Sequence, residues 1–148
     1  SLMAATNTSL PGYLWHEAVE WEPRMRRWLI LPRKASRELY TPEADETRGT
    51  NLLLLASEDF GSIEVRQVGP VEPEWGFSAI RKVPGSDSTF LALKVLEANG
   101  RTGTRIALFD LSGPGGAPRM LLDPPLQLIG DEAESSAKYE GLDFLHDG

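Results

Sequence analysis

Glu17, Ser78 and Glu140 stand 61 and 62 residues apart, and each lies near the start of a strand that opens a new run of hairpins. After Glu17 the sequence pattern predicts strands at 14–20, 27–32, 51–57 and 63–68; around Ser78 it predicts four more, at 76–83, 89–95, 104–111 and 119–129. Short strands with a turn every roughly eight to twelve residues belong to sandwiches, barrels and propellers, and a period of four strands selects the propeller. The third unit holds one strand, 138–145. Two blades, 13–70 and 71–130, plus a closing strand cannot make a ring, since propellers need roughly four to eight blades. The expectation is therefore an all-β chain, the C-terminal part of a larger β-propeller, with residues 1–12 a linker or the remnant of a preceding blade. Such a segment exposes a sheet face at each end, to be covered by the N-terminal remainder of the propeller or by self-association. The alternative is a free-standing sandwich with coincidental spacing.

The individual strands rest on local patterning. Tyr13 to Trp21 and Arg27 to Ser36 are apolar runs of strand length joined by a charged turn, hence an antiparallel hairpin whose second strand is expected at 27–32. Asn51 to Ser57 is a short apolar run between polar clusters, which favours a buried strand. Ile63 to Val68 alternates and reads as half-buried. Asn99-Gly100 is a strong hairpin turn signal. Residues 113–118 form a glycine-rich excursion without the strand-then-helix context of a phosphate loop, and Pro124-Pro125 interrupts a final edge strand. Residues 37–50 and 131–136 read as charged loops, and no helix is expected.

Composition closes off several functions. A net charge of -7 argues against nucleic acid, whose phosphates must be neutralised by Lys and Arg. The absence of cysteine excludes disulfides, thiolate metal sites and thiol nucleophiles, and two histidines leave little for a His-rich site. No apolar run approaches the ~20 residues of a membrane span. The first residues lack the basic start and apolar core of a signal peptide, so the sequence reads as a mature or excised segment. Asn7-Thr8-Ser9 is a glycosylation acceptor triplet, a hint of the secretory pathway.

The first hairpin carries the chemistry. Glu17 is an acid inside an apolar strand, while Arg33 and Lys34 follow Pro32, where the strand is expected to run out. An acid in the sheet and a basic pair at its rim suit a cation and an anion, read here as a metal ion and a phosphate. Glu17 and Glu140 also read as ordinary strand acids paired with Lys or Arg, and Ser78 is singled out only by the period. Arg33 is either a surface residue or one facing the channel mouth. Tyr40, Asp45 and Glu46 either meet a base or ribose or are solvated. Trp15, Trp21, Trp28 and Trp75 either pack or stack on a base. His16 alternates away from Glu17 and reads as packing, and no Ser/His/Asp triad is supported.

Trp15-His16-Glu17, Leu31-Pro32-Arg33-Lys34-Ala35-Ser36, Asp45-Glu46, Gly49-Thr50-Asn51-Leu52-Leu53-Leu54, Asp59-Phe60-Gly61, Gly76-Phe77-Ser78, Leu91-Ala92-Leu93-Lys94 and Lys138-Tyr139-Glu140-Gly141 together resemble the C-terminal half of the calcium-activated nucleotidases, the soluble apyrases. The likeness runs from about Tyr13 to Leu145, and residues 113–125 are longer than the family's connection. The resemblance implies a five-bladed propeller with Ca2+ in its channel, in the ER or Golgi lumen or secreted. It implies hydrolysis of nucleoside di- and triphosphates such as UDP and GDP to monophosphate and phosphate. It assigns calcium ligation to Glu17, Ser78 and Glu140 and contact with the substrate phosphates to Arg33. The family's catalytic acids would lie in N-terminal blades outside this sequence, so this stretch alone is expected to be inactive. The rival expectation is a non-catalytic secretory propeller that binds calcium or a partner.

Overall fold

The computed structural model describes residues 1–128 and 139–145, and among them the fold is almost entirely β. Strands β1 (Tyr13–Glu22), β2 (Arg27–Ser36), β3 (Leu52–Ser57) and β4 (Ile63–Gln67) form one antiparallel sheet in sequential order. Strands β5 (Trp75–Lys82), β6 (Thr89–Ala98) and β7 (Arg101–Asp110) begin a second sheet in the same order. Two short strands, β8 (Arg119–Met120) and β9 (Leu126–Leu128), share the outer edge of β7. The expected final strand is thus split, and Pro124-Pro125 falls in the gap because proline has no N–H to give a ladder.

The core forms where the sheets meet, with β5 packed against β1 and β2. Leu29, Leu31, Leu53 and Leu55 from the first sheet join Phe77, Ile80, Phe90 and Phe109 from the second. Phe90 and Phe109 face each other across the β6–β7 ladder and stack with centroids 5.7 Å apart. Strand β3 is buried along its middle four residues, as its unbroken apolar run requires.

The repeat has a local counterpart in the backbone. The β1–β2 register shifts around Glu17, and the β5–β6 register shifts around Ser78. Each residue is the extra one of a β-bulge in the first strand of its sheet. A bulge re-aims the side chain that ordinary alternation would send elsewhere.

Several expectations need correction. Strand β2 does not end at Pro32 but continues to Ser36, so Arg33 and Lys34 sit inside a strand and are buried. Proline is tolerated because β3 pairs only with Arg27 to Ile30, and because Pro32 faces His16 at the bulge. Beyond it, Ala35 N–H donates to the Arg48 carbonyl at 3.0 Å and Lys34 bridges to Gly49. Single-turn helices occur at α1 (Leu2–Ala5) and α2 (Pro42–Asp45), where none was expected; Ser1 and Thr41 cap them. Residues 139–145, within the expected closing strand, pair with no strand among the described residues, and their expected partner blade lies outside this chain. The Tyr139 N–H donates to Thr104 Oγ1 at 3.0 Å, a side-chain contact that cannot propagate a ladder. Ile129, the acidic loop at 131–136, Lys138 and His146 lie outside the described residues.

Candidate functional site

Trp15, Glu17, Arg33, Lys34, Tyr40, Asp45, Glu46, Glu97 and Glu140 line one cleft of about 420 Å³. Glu17, Arg33, Lys34, Tyr40, Asp45, Glu46 and Glu140, all singled out from the sequence, therefore come together there. Ser78 is 5% exposed and donates from Oγ to the carbonyl of Tyr139 at 3.4 Å, one residue from Glu140.

Arg33 is the hub of the cleft. Its Nη1 donates to both carboxylate oxygens of Glu17, at 2.9 and 3.0 Å, and its Nη2 donates to Glu97 Oε2 at 2.9 Å. A guanidinium buried to this degree needs charge compensation, and two acids supply it. One acid comes from each sheet. Strand β5 passes over the arginine stem at Gly76, where a Cβ would stand 2.6 Å from Arg33 Cγ. Glu97 was not singled out by the sequence. It follows Leu96 near a hairpin tip and is brought to Arg33 only by the packing of two sheets.

Lys34 serves a different end. Its Nζ donates to the carbonyls of Asp45 at 2.6 Å and Glu46 at 3.2 Å, satisfying the C-terminal end of α2. Burial lowers its pKa, and the negative charge of Asp45 works in the opposite direction. Lys34 thus fixes the 37–50 segment against the cleft. Tyr13 finishes the job by donating to Asp45 Oδ1 at 2.5 Å. Burial, followed by the bond to Asp45 and its charge, raises the phenol beyond its ordinary range, so Tyr13 stays a donor.

Tyr40 packs edge-on against Tyr13 with centroids 5.7 Å apart and is 48% exposed. Trp15, 45% exposed, presents a second aromatic surface to the same cleft. Glu46 Oε2 accepts the N–H of Asn99, at the β6–β7 tip, at 3.0 Å. That bond pins the hairpin bearing Glu97 to the loop bearing Tyr40. His16 packs as expected: its Nδ1 is buried without a hydrogen-bond partner among the described residues, and burial lowers its pKa. Of the other tryptophans, Trp21 and Trp28 pair at 5.1 Å and Trp75 lies under the Arg105 guanidinium at 3.9 Å. These three are packing residues.

Two carboxylates, a hydroxyl and a backbone carbonyl are hard oxygen donors of the kind calcium takes. Calcium takes about six to eight oxygens, and no group of three or more acidic or histidine side chains among the described residues is arranged to hold a metal ion. The donor types fit calcium; their number does not by itself make a site.

Comparison with known proteins bears on what the cleft is for. The profile of the family described as Apyrase matches residues 1–145. The chain is 44% identical to soluble calcium-activated nucleotidase 1 of Rattus norvegicus over 98% of its length and 33% of that protein. It is 36% identical to an apyrase of Phlebotomus duboscqi, covering 90% of the chain and 37% of the relative. For an apyrase of Cimex lectularius the identity is 34%, with coverages of 97% and 37%. The chain thus spans about a third of the length of the curated relatives it matches.

Proposed function

Since the chain belongs to the apyrase family, we propose that it supplies part of a cleft in which a nucleoside di- or triphosphate is hydrolysed to release phosphate. In this reading each sheet is a blade of a five-bladed propeller, and the rest of the ring corresponds to the relatives' additional length. The observation that carries the proposal is Arg33, a buried arginine held between two carboxylates in the cleft lined by Glu17 and Glu140.

The chain's residues divide the work by chemistry. Glu17, Ser78 and Glu140 would contribute oxygens to a calcium ion completed by the other blades; the rat relative is by name calcium-activated. Calcium bound there would offset phosphate charge and orient the reacting group. Arg33 turns a guanidinium edge to the phosphates and stabilises charge that develops as water attacks the terminal phosphorus and the bond to the bridging oxygen breaks. Trp15 and Tyr40 offer exposed rings to the base, and Glu46 holds the Tyr40 loop in place through Asn99. Nucleoside diphosphates such as UDP and GDP are the proposed substrates. The setting is secretory or lumenal; among the described residues no helix is long and apolar enough to cross a membrane.

Phosphate release from UDP and GDP by the complete protein, with calcium and with a chelator, tests the reading. Release is expected only with calcium, and Glu17→Ala should lower it at least about a hundredfold while the protein still folds. A second reading, a non-catalytic propeller that binds calcium or a partner, draws support from Arg33 being already neutralised by Glu17 and Glu97. Calcium binding without release of phosphate from any nucleotide would decide for it.

A further inference from the structure

The two acids on Arg33 are not equivalent. Glu17 belongs to the oxygen set proposed for calcium, whereas Glu97 comes from the second sheet and lies outside every motif of the family resemblance. The arginine cannot withdraw from both. Its side chain is 9% exposed, and β5 closes over its stem at Gly76. A cation that draws the oxygens of Glu17 competes with Nη1 of the guanidinium and leaves Nη2 on Glu97.

We propose that Glu97 is a positioning residue that tethers Arg33 when Glu17 turns to the cation, so that the released Nη1 edge faces the phosphates. This rests on the calcium-dependent reading above and adds a step within it. Calcium and substrate are coupled because one guanidinium edge cannot serve Glu17 and a phosphate together. The tether also keeps a counter-charge on Arg33 when a divalent cation arrives beside it. The β6–β7 hairpin is built to hold Glu97 in place, since Asn99 N–H at its tip is bonded to Glu46 at 3.0 Å. The Glu97 side chain is 56% exposed, so the tether is solvent-screened and its effect belongs at the lower end of the range for groups that orient a metal's surroundings.

Calorimetric calcium titration of the complete protein tests this without turnover, using the unaltered protein, Glu97→Gln, Arg33→Gln and the double variant. Glu97→Gln is expected to weaken calcium binding about tenfold when Arg33 is present. It should have little effect when Arg33 is absent, because neighbours acting through one another are non-additive. In parallel, KM for UDP should rise more than kcat falls in Glu97→Gln, with Glu97→Asp recovering part of the loss. Should Arg33→Gln fail to fold, Arg33→Lys removes the fork and keeps the charge. Equal loss of calcium affinity in both backgrounds would make Glu97 a ligand or a distant charge and overturn the tether. An unchanged affinity in Glu97→Gln would overturn it as well. Failure of the unaltered protein to bind calcium would overturn both this proposal and the calcium reading beneath it. Calcium binding without phosphate release would overturn only the hydrolytic reading, since the calorimetric cycle reads the tether independently.

Discussion

At position 76 a Cβ would lie 2.4 Å from the carbonyl oxygen of Arg33 and 2.6 Å from its Cγ, inside any tolerable contact. The same is true of Gly49, whose Cβ would stand 2.2 Å from the carbonyl oxygen of Trp75. Gly76 is required where β5 closes on Arg33, and Gly49 where the 37–50 segment passes against the residues leading into β5. Gly76→Ala is expected to destabilise the protein by about 1–3 kcal/mol, the usual cost of overpacking a site that can shift only partly. Urea unfolding would show it as a lower midpoint at constant slope; an unchanged midpoint would mean that β5 moves aside freely. Nothing in the sequence around Gly76 announces this role. Glycine before an aromatic reads equally well as the mouth of a strand, and the obstacle it avoids lies 43 residues earlier in the chain. Glu97 was hidden for the same reason: its partner is 64 residues away, on another sheet.

At the scale of elements, Asp110 shows how a strand end is fixed. Its carboxylate accepts from the Ser112 and Ser88 hydroxyls, the latter at 2.7 Å, from Ser112 N–H at 2.7 Å and from Thr89 Oγ1 at 3.3 Å. The start of β6 and the end of β7 are thereby tied together. These bonds, led by that from the Ser112 hydroxyl, hold its pKa down to about 2. Because the folded value lies below the unfolded one of about 3.9, the contribution is complete above pH ~4 and fades as pH falls through about 2. Asp110→Asn should therefore cost about 1 kcal/mol at neutral pH, with the gap to the unaltered protein narrowing below pH ~4. Urea midpoints measured across that range would check the sign. Strand positions were largely legible: the predicted 27–32, 51–57, 63–68 and 76–83 fall on β2, β3, β4 and β5. Lengths were less so. Strands β6 and β7 run on to Ala98 and back from Arg101, because a two-residue Asn99-Gly100 turn with positive φ at both positions lets the ladder reach its tip. Pro32 misled because its missing N–H costs nothing beside a bulge.

On the scale of the whole molecule, the sheets are joined by charge as well as by the apolar core. Glu22 is fully buried at the end of β1, and Lys82 Nζ from β5 meets its Oε2 at 2.6 Å. Removing one partner of such a pair leaves an uncompensated charge, so Lys82→Met should cost about 3 kcal/mol. Adding Glu22→Gln should restore part of it, which thermal denaturation of the single and double variants would reveal. The 61-residue period proved informative about geometry that periodicity alone does not specify: Glu17 and Ser78 both stand at bulges. The closing strand is expected from the same period to pair with a blade outside this chain, and within the chain residues 139–145 have no partner edge with which to form a ladder.

Arg33 takes one counter-ion from each sheet, and this limits how such a protein can be recombined. A chimera joined between Val68 and Trp75 would inherit two intact sheets from different relatives. It would still break the cleft unless the donor of the second sheet carried an acid at position 97 and glycine at position 76. The unit of exchange is therefore the pair of sheets, because the seam between them sets what each may carry.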